Sequence, residues 1–368
     1  MATLSAEERT ALQDAVGRLL GDRSTEADVR RAMDTPAGYD PGLWAELAEM
    51  GIAGLVIDPE FGGSGAGAVE LETVMEAAGA ALLCAPLLAS GVLAAELLRT
   101  LGDEAAKSRL LPRIADGTAI ATVALTGDAG TWAPEGVSVT ASGTGDRATL
   151  TGVASFVLHG QNADILLVLA GDGETLAVFE VDPKSPGVGI APLPTFDHTL
   201  RLARITLESA PGRRLSGGAW PAAEAAMRLA LVALAGEQAG GAKRVVDFTV
   251  DYARGRFQFG RAIGSFQAVK HMAADILLEA ESAVSAARNA AARLAEGAAD
   301  ADAAVSLAAF ACADAFTQVT ATAIQMHGGI AFTWSHPAHL YLRRARADAQ
   351  LFGAPAVHRE RYLQALGA

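Results

Sequence analysis

The apolar residues of this chain change period twice, and that change constrains the fold more than any other feature. Between Thr118 and Leu215 they alternate with polar residues in short runs: Val137–Thr140, Ala148–Thr151, Ile165–Leu169, Leu176–Val181 and Leu202–Leu207. Gly171-Asp172-Gly173 and Asp182-Pro183 punctuate these runs as turns, so each reads as a strand. Elsewhere the spacing is three or four. Phe266, Val269, Ala273, Ile276, Ala280, Val284, Ala287, Ala291 and Leu294 mark one face of a long helix. Strands that follow one another without helices between them predict an antiparallel sandwich or barrel. They argue against a Rossmann sheet, and no GxGxxG follows a strand.

At 368 residues the chain is too long for one core of ordinary size. The period changes divide it into a helical domain over 1–117, an antiparallel β domain over 118–215 and a helical bundle over 216–368, a mainly α fold of the α+β class. Bundle helices are expected near 221–253, 302–326, 337–351 and 356–366 beside the long one. Residues 77–95 carry no charge and are long enough to cross a bilayer. Their Ala, Gly and Ser content, Pro86 and the closely following Glu96 instead predict two packed helices broken near Cys84-Ala85-Pro86, with no membrane span. The first 22 residues are charged and lack the apolar core of a signal peptide. The net charge of −13 repels phosphate backbones, which argues against nucleic acid. Cys84 and Cys312 form neither a disulfide framework nor a zinc spacing, so the expected compartment is the reducing cytoplasm.

Two clusters carry chemistry. Tyr252 to Gln267 joins two bundle helices and contains Arg254, Arg256, Gln258, Gly260, Arg261, Gly264 and Gln267. Arginine forks and the free N–H groups of a helix start suit a diphosphate, whereas the same residues also serve as a polar interhelical turn. Gln325-Met326-His327-Gly328-Gly329 closes another helix. Paired glycines there either end the helix or admit a ligand to the backbone.

Taken in this order and layout, the clusters resemble the acyl-CoA dehydrogenase family of flavoproteins over nearly the whole chain. The matching residues are Arg256-Phe257-Gln258-Phe259-Gly260, Phe266-Gln267, Gln325 to Gly329, and His336 to Arg344. Asp58 to Gly63 and Asp197 to Arg201 match less closely. The resemblance implies FAD lying across a subunit interface of a homo- or hetero-oligomer, an acyl-CoA substrate and electron-transfer flavoprotein as acceptor. It implies that Arg256 and Gln258 approach the pyrophosphate and Phe259 the adenosine portion. Gln325, Gly328 and Gly329 then meet the adenosine diphosphate of a neighbour's FAD, with Gln267 a further contact. His336 and His339 belong to this helix and form no metal site.

The family reaction takes the α proton of the thioester with a carboxylate and passes the β hydride to flavin N5. The resemblance places the base at Ala356 or Gly353, or on the first bundle helix at Ala230, and none of these can take a proton. Glu237 lies two turns from Ala230 and is the nearest candidate base; Glu360 reads better as a surface partner of an arginine. In the β domain the usual Thr-Glu-Pro run is replaced by Leu125-Thr126-Gly127-Asp128. Leu125, Thr126, Phe156 and His159 remain as the flavin-side contacts. Three readings follow: a competent enzyme with Glu237 as displaced base, a base-less subunit supporting a sister chain, or a flavin-free structural homologue.

Overall fold

The computed structural model describes residues 4–143, 145–173 and 175–367. Six helices come first: α1 (Ala6–Arg23), α2 (Glu26–Met33), α3 (Pro41–Glu49), α4 (Ala68–Ala80), α5 (Ala95–Leu101) and α6 (Glu104–Ala115). Ser5 and Thr25 open α1 and α2 with reciprocal capping boxes, which satisfy backbone donors that have no partner inside the helix. The uncharged stretch breaks as expected. Leu82 takes a left-handed conformation at φ 47°, and a π-helical turn over Leu87–Ala94 is buried throughout.

Seven strands follow: β1 (Ala121–Ala124), β2 (Thr140–Ser142), β3 (Arg147–Leu158), β4 (Ile165–Asp172), β5 (Thr175–Val181), β6 (Val188–Pro192) and β7 (Leu202–Leu215). The pairings β4–β2, β2–β3, β3–β7, β7–β5 and β5–β4 return to their starting strand, so the sheet curls into a small barrel without open edges there. Leu150, Leu166, Phe179 and Ile205 fill it.

Three strand expectations need correction. The sheet is mixed, because β1 runs parallel to β4 and β2 meets β4 through one parallel pair. β1 and β6 lie outside the expected runs: β1 is buried on both faces, and β6 is a short edge beside β7 that turns only Val188 and Ile190 toward the core. The Val137–Thr140 run becomes a strand only from Thr140, since Pro134–Gly136 form a 3-10 turn just before it.

The chain then returns to helices: α7 (Ala219–Gly255), α8 (Gln267–Ala295), α9 (Ala301–His327), α10 (Ala338–Asp348) and α11 (Pro355–Ala365). A two-stranded hairpin, β8 (Phe257–Gln258) with β9 (Arg261–Ala262), joins α7 to α8. α10 stops short of the expected residue 351, because Phe352 (φ 59°) and Gly353 (φ 122°) reverse the chain before Pro355 starts α11. α9 is long and apolar enough to cross a membrane, but its apolar length packs against α7, α8, α10 and α11.

The β domain is tied to the bundle mainly through α7, which also crosses α4 at backbone contact. A Cβ at Gly79 would lie 1.8 Å from the Glu237 carbonyl oxygen, and one at Gly240 would lie 1.8 Å from that of Glu76. Only glycine allows this approach. It fixes where Glu237 points.

Candidate functional site

α7 ends at Gly255, and the Arg256 N–H still donates to the Tyr252 carbonyl at 2.8 Å. The chain then reverses through Phe259 (φ 53°) and Gly260 (φ 77°), the two central residues of the β8–β9 hairpin. A tight hairpin of this hand requires positive φ at both, which glycine tolerates and phenylalanine resists. The Phe259 side chain is 92% exposed and Phe257 is 64% exposed, so this costly turn displays aromatic rings rather than burying them. Arg261 stacks 4.0 Å over the Phe266 ring and braces the turn. Arg254 pairs with Asp251, whereas Arg256 has no carboxylate partner among the described residues and stands exposed beside exposed Gln258. Gln267 starts α8, with its amide nitrogen 3.3 Å from His271 Nε2.

The second cluster lies at the same end of the bundle. Gly328 leaves α9 at φ 67°, ψ −146°, a conformation open essentially to glycine alone. A Cβ on Gly328 or Gly329 would meet nothing within 4 Å, so neither glycine is required by packing inside the chain. Gln325 is exposed on the last turn of α9. The Tyr252 hydroxyl donates to the His327 carbonyl at 3.3 Å and the two rings stack at 4.4 Å, tying the α9 cap to the α7 terminus. Separated by about seventy residues in sequence, the two clusters meet through Tyr252 and His327, which leaves an exposed guanidinium, exposed amides and accessible glycine backbone at one end of the bundle.

The four β-domain candidates do not form one site. Leu125 and Thr126 are buried, and the Thr126 hydroxyl donates to the Thr131 carbonyl at 2.8 Å. Phe156 (φ 58°) lies over Gly130. The same loop carries Trp132, whose ring meets Phe352 edge-on at 5.1 Å, while Arg361 donates to the Trp132 carbonyl at 3.4 Å. His159 lies apart. It is buried against Tyr39, with Nδ1 3.0 Å from the Asn162 amide nitrogen. Burial, with smaller contributions from Arg201 and Arg344, pushes its imidazole down to about 3. It is neutral at physiological pH.

Glu237 is buried on α7 and hydrogen-bonded to Arg344 Nη1. Arg344 is 4% exposed. Its Nε donates to Asp197 Oδ2 at 2.9 Å, and its Nη2 donates to the Thr199 hydroxyl at 2.7 Å and to the Thr199 carbonyl at 3.1 Å. Burial alone would lower the guanidinium pKa; Glu237 and Asp197 outweigh it and raise it well above the usual value. Asp348 completes the group. Its Oδ2 has no partner, and burial followed by repulsion from Glu237 raises it well above the carboxylate range.

The cavity beside this cluster is lined by Met75, Leu87, Leu158, His159, Glu237 and Asp348, and it measures about 30 Å³. That is room for a water or two. The three positions to which the resemblance assigns a base hold no acid: Ala230 is fully buried, Gly353 is the helix-reversing glycine, and Ala356 is exposed on α11. Glu360, also on α11, accepts from Gln364 at 3.0 Å.

Sequence reasoning found Glu237 but not its partners. Arg344 is 107 residues from it and Asp197 is 147 residues from Arg344, so no local pattern joins them. The one available signal was Asp197-His198-Thr199, where the Asp197 carboxylate caps the Thr199 N–H at 2.9 Å.

Two family models match the chain: "Acyl-CoA dehydrogenase, N-terminal domain" over residues 6–118 and "Acyl-CoA dehydrogenase, C-terminal domain" over 217–367. Acyl-CoA dehydrogenase IpdE2 of Mycolicibacterium smegmatis is 36% identical over 95% of this chain and 96% of its own length. Among solved structures, the ChsE4-ChsE5 complex from Mycobacterium tuberculosis is similar at 31% identity and TM-score 0.90, covering 100% of this chain and 99% of that one. The Tcur3481-Tcur3483 steroid ACAD variant is similar at 28% identity and TM-score 0.89, with 98% of both chains covered.

Proposed function

The chain belongs to the acyl-CoA dehydrogenase family, which removes hydrogen across the α,β bond of acyl-CoA thioesters with FAD, and from that premise we propose that it is the flavin-supporting subunit of a heteromeric enzyme whose base comes from a sister chain. The observation that carries this reading is the engagement of Glu237. Its carboxylate is ion-paired to a buried arginine beside a cavity of about 30 Å³. A base must reach the α proton of a bound thioester, and this one faces a space too small for an acyl chain. The similarity to a complex named for two different chains supports the same reading.

The residues fit one half of FAD. Arg256 without a carboxylate, the exposed Gln258 and Gln325 amides, and the open Gly328-Gly329 backbone suit the adenosine diphosphate of a cofactor offered from across an interface. Phe259 offers an exposed ring face to the adenosine portion. They do not fit the isoalloxazine half. The Thr126 hydroxyl is committed to Thr131, and Trp132 is packed on Phe352. Bound FAD supplies the hydride acceptor of the family reaction. This chain's share is to hold the phosphates and adenosine, while the sister chain contributes the carboxylate and the dry acyl pocket. The steroid named for one relative supports a ring-bearing acyl group in that pocket. The oxidising partner of the reduced flavin is electron-transfer flavoprotein, and the setting is cytoplasmic.

Expression alone and with the sister chain tests the proposal. Alone, the chain should retain little FAD and reduce no dye with any acyl-CoA. The pair should be yellow and active, and Glu237→Gln in this chain should leave turnover per bound flavin unchanged. Dye reduction by the isolated chain that Glu237→Gln abolishes would restore Glu237 as base and overturn the proposal.

A further inference from the structure

Glu72 lies where α4 crosses α7 and is 2% exposed. A Cβ at Gly236 would stand 2.8 Å from its carbonyl oxygen and 3.3 Å from its Cγ, so the side chain is pinned between the two helices. Its Oε1 is buried with no hydrogen-bond partner among the described residues. A carboxylate there would be an uncompensated charge, which folded chains avoid by pairing the group or by protonating it.

The groups that could answer that charge are already engaged. Glu76, one turn along α4, accepts from Arg288 of α8 at 2.9 Å and from Lys243 of α7 at 3.3 Å, one on each oxygen. From α9 the Cys312 thiol donates to the Ala283 carbonyl at 3.3 Å, and from α1 Arg9 donates to the Leu4 carbonyl at 3.3 Å. Burial first, and then repulsion from Glu76, push the Glu72 carboxyl up to about 7, against a downward pull from Arg288 and Lys243. The crossing also has somewhere to open. Helices α1, α4 and α8 border a cleft of about 720 Å³ lined by Arg9, Gln13, Thr73, Glu76 and Arg288, and half of the Arg288 side chain is exposed.

We propose that Glu72 is a proton-operated joint in the α4–α7 crossing. Protonated, it lets the two helices close to backbone contact. Ionised, it draws Arg288 away from Glu76, leaves the two acids to share the cations of one, and loosens α1 and α4 from the bundle. The closed joint holds the extra proton, because the carboxyl returns to its ordinary 4.5 once water reaches it. The joint is therefore tight at mildly acidic pH and slackens as pH rises through about 7. Gly79 and Gly236 clamp the turn of α7 that carries Glu237, so the joint bears on how firmly that carboxylate is held against Arg344. None of this depends on which chain supplies the base.

Hydrogen–deuterium exchange at pH 6 and pH 8 tests the joint in the assembled particle, isolated with its natural companions, with rates corrected for the intrinsic effect of pH on exchange. Between those values the opening equilibrium of residues 68–80 should rise about tenfold, while strands β4 and β5 in the barrel hold their protection. Glu72→Gln and Glu72→Met cannot ionise, and each should keep at pH 8 the α4 protection that it shows at pH 6. Equal protection of α4 at both pH values in the parent, or a tenfold rise that survives in both variants, would overturn the proposal.

Discussion

At the scale of the residue, Arg344 decides what this chain can do. It joins α10 to Glu237 on α7 and to the Asp197–Thr199 corner of the β domain, entirely out of water. Removing one member of a buried pair leaves the other charge unpaired and typically costs about 3–5 kcal/mol. Arg344→Met should therefore destabilise strongly in denaturant unfolding. Adding Glu237→Gln to it should cost less than the sum of the two single changes. Simple additivity would show that the two groups do not interact. His159 gives a pH signature. Its value of about 3 in the fold lies below the unfolded 6.5, so between them the unfolded chain binds the extra proton. Its contribution is complete above pH 6.5 and is lost as pH falls, by about 1.4 kcal/mol per pH unit within that window. His159→Asn, which suits the left-handed φ of 50°, should flatten the acid limb of a stability–pH curve. An unchanged slope would mean that the imidazole is solvated.

At the scale of the element, the α4–α7 crossing is the contact most sensitive to a single methyl group. Gly240→Ala drives a Cβ into the Glu76 backbone and should cost at least the 1–3 kcal/mol typical of overpacking, about that or more, read by thermal or denaturant unfolding. Stability equal to that of the parent would show that the helices can separate freely. This scale also shows what the sequence makes legible. Helix α8 follows its apolar period closely, because its buried stripe repeats every three to four residues over several turns, whereas α7 is buried without a break from Leu229 to Ala242 and is legible by its length. Strand β1 is buried on both faces and does not alternate, while β6 alternates over Val188 and Ile190 alone before Pro192 ends it, too short a run to read. The hairpin of Arg256 to Arg261 is legible as a turn, but its exposed aromatic display follows only from its place outside the core. The Glu237–Arg344–Asp197 group is invisible to any local pattern, since Glu237 and Arg344 meet only when α10 packs on α7 and Asp197 joins only when the β domain docks on the bundle.

At the scale of the whole molecule, the chain is asymmetric about its flavin chemistry. One end displays a guanidinium, two amides and an open glycine cap with no partner for them among the described residues. Its interior holds Glu237 ion-paired to the buried Arg344 beside a cavity of about 30 Å³, with no room for an acyl chain. On the proposed reading, a neighbouring chain brings the complementary half. The most direct measurement is the flavin content, together with the turnover per flavin, of the assembled particle carrying Arg256→Ala in this chain alone. Loss of most of the FAD, with normal turnover by the flavin that remains, is the predicted result. Full FAD retention with the arginine gone would contradict the account.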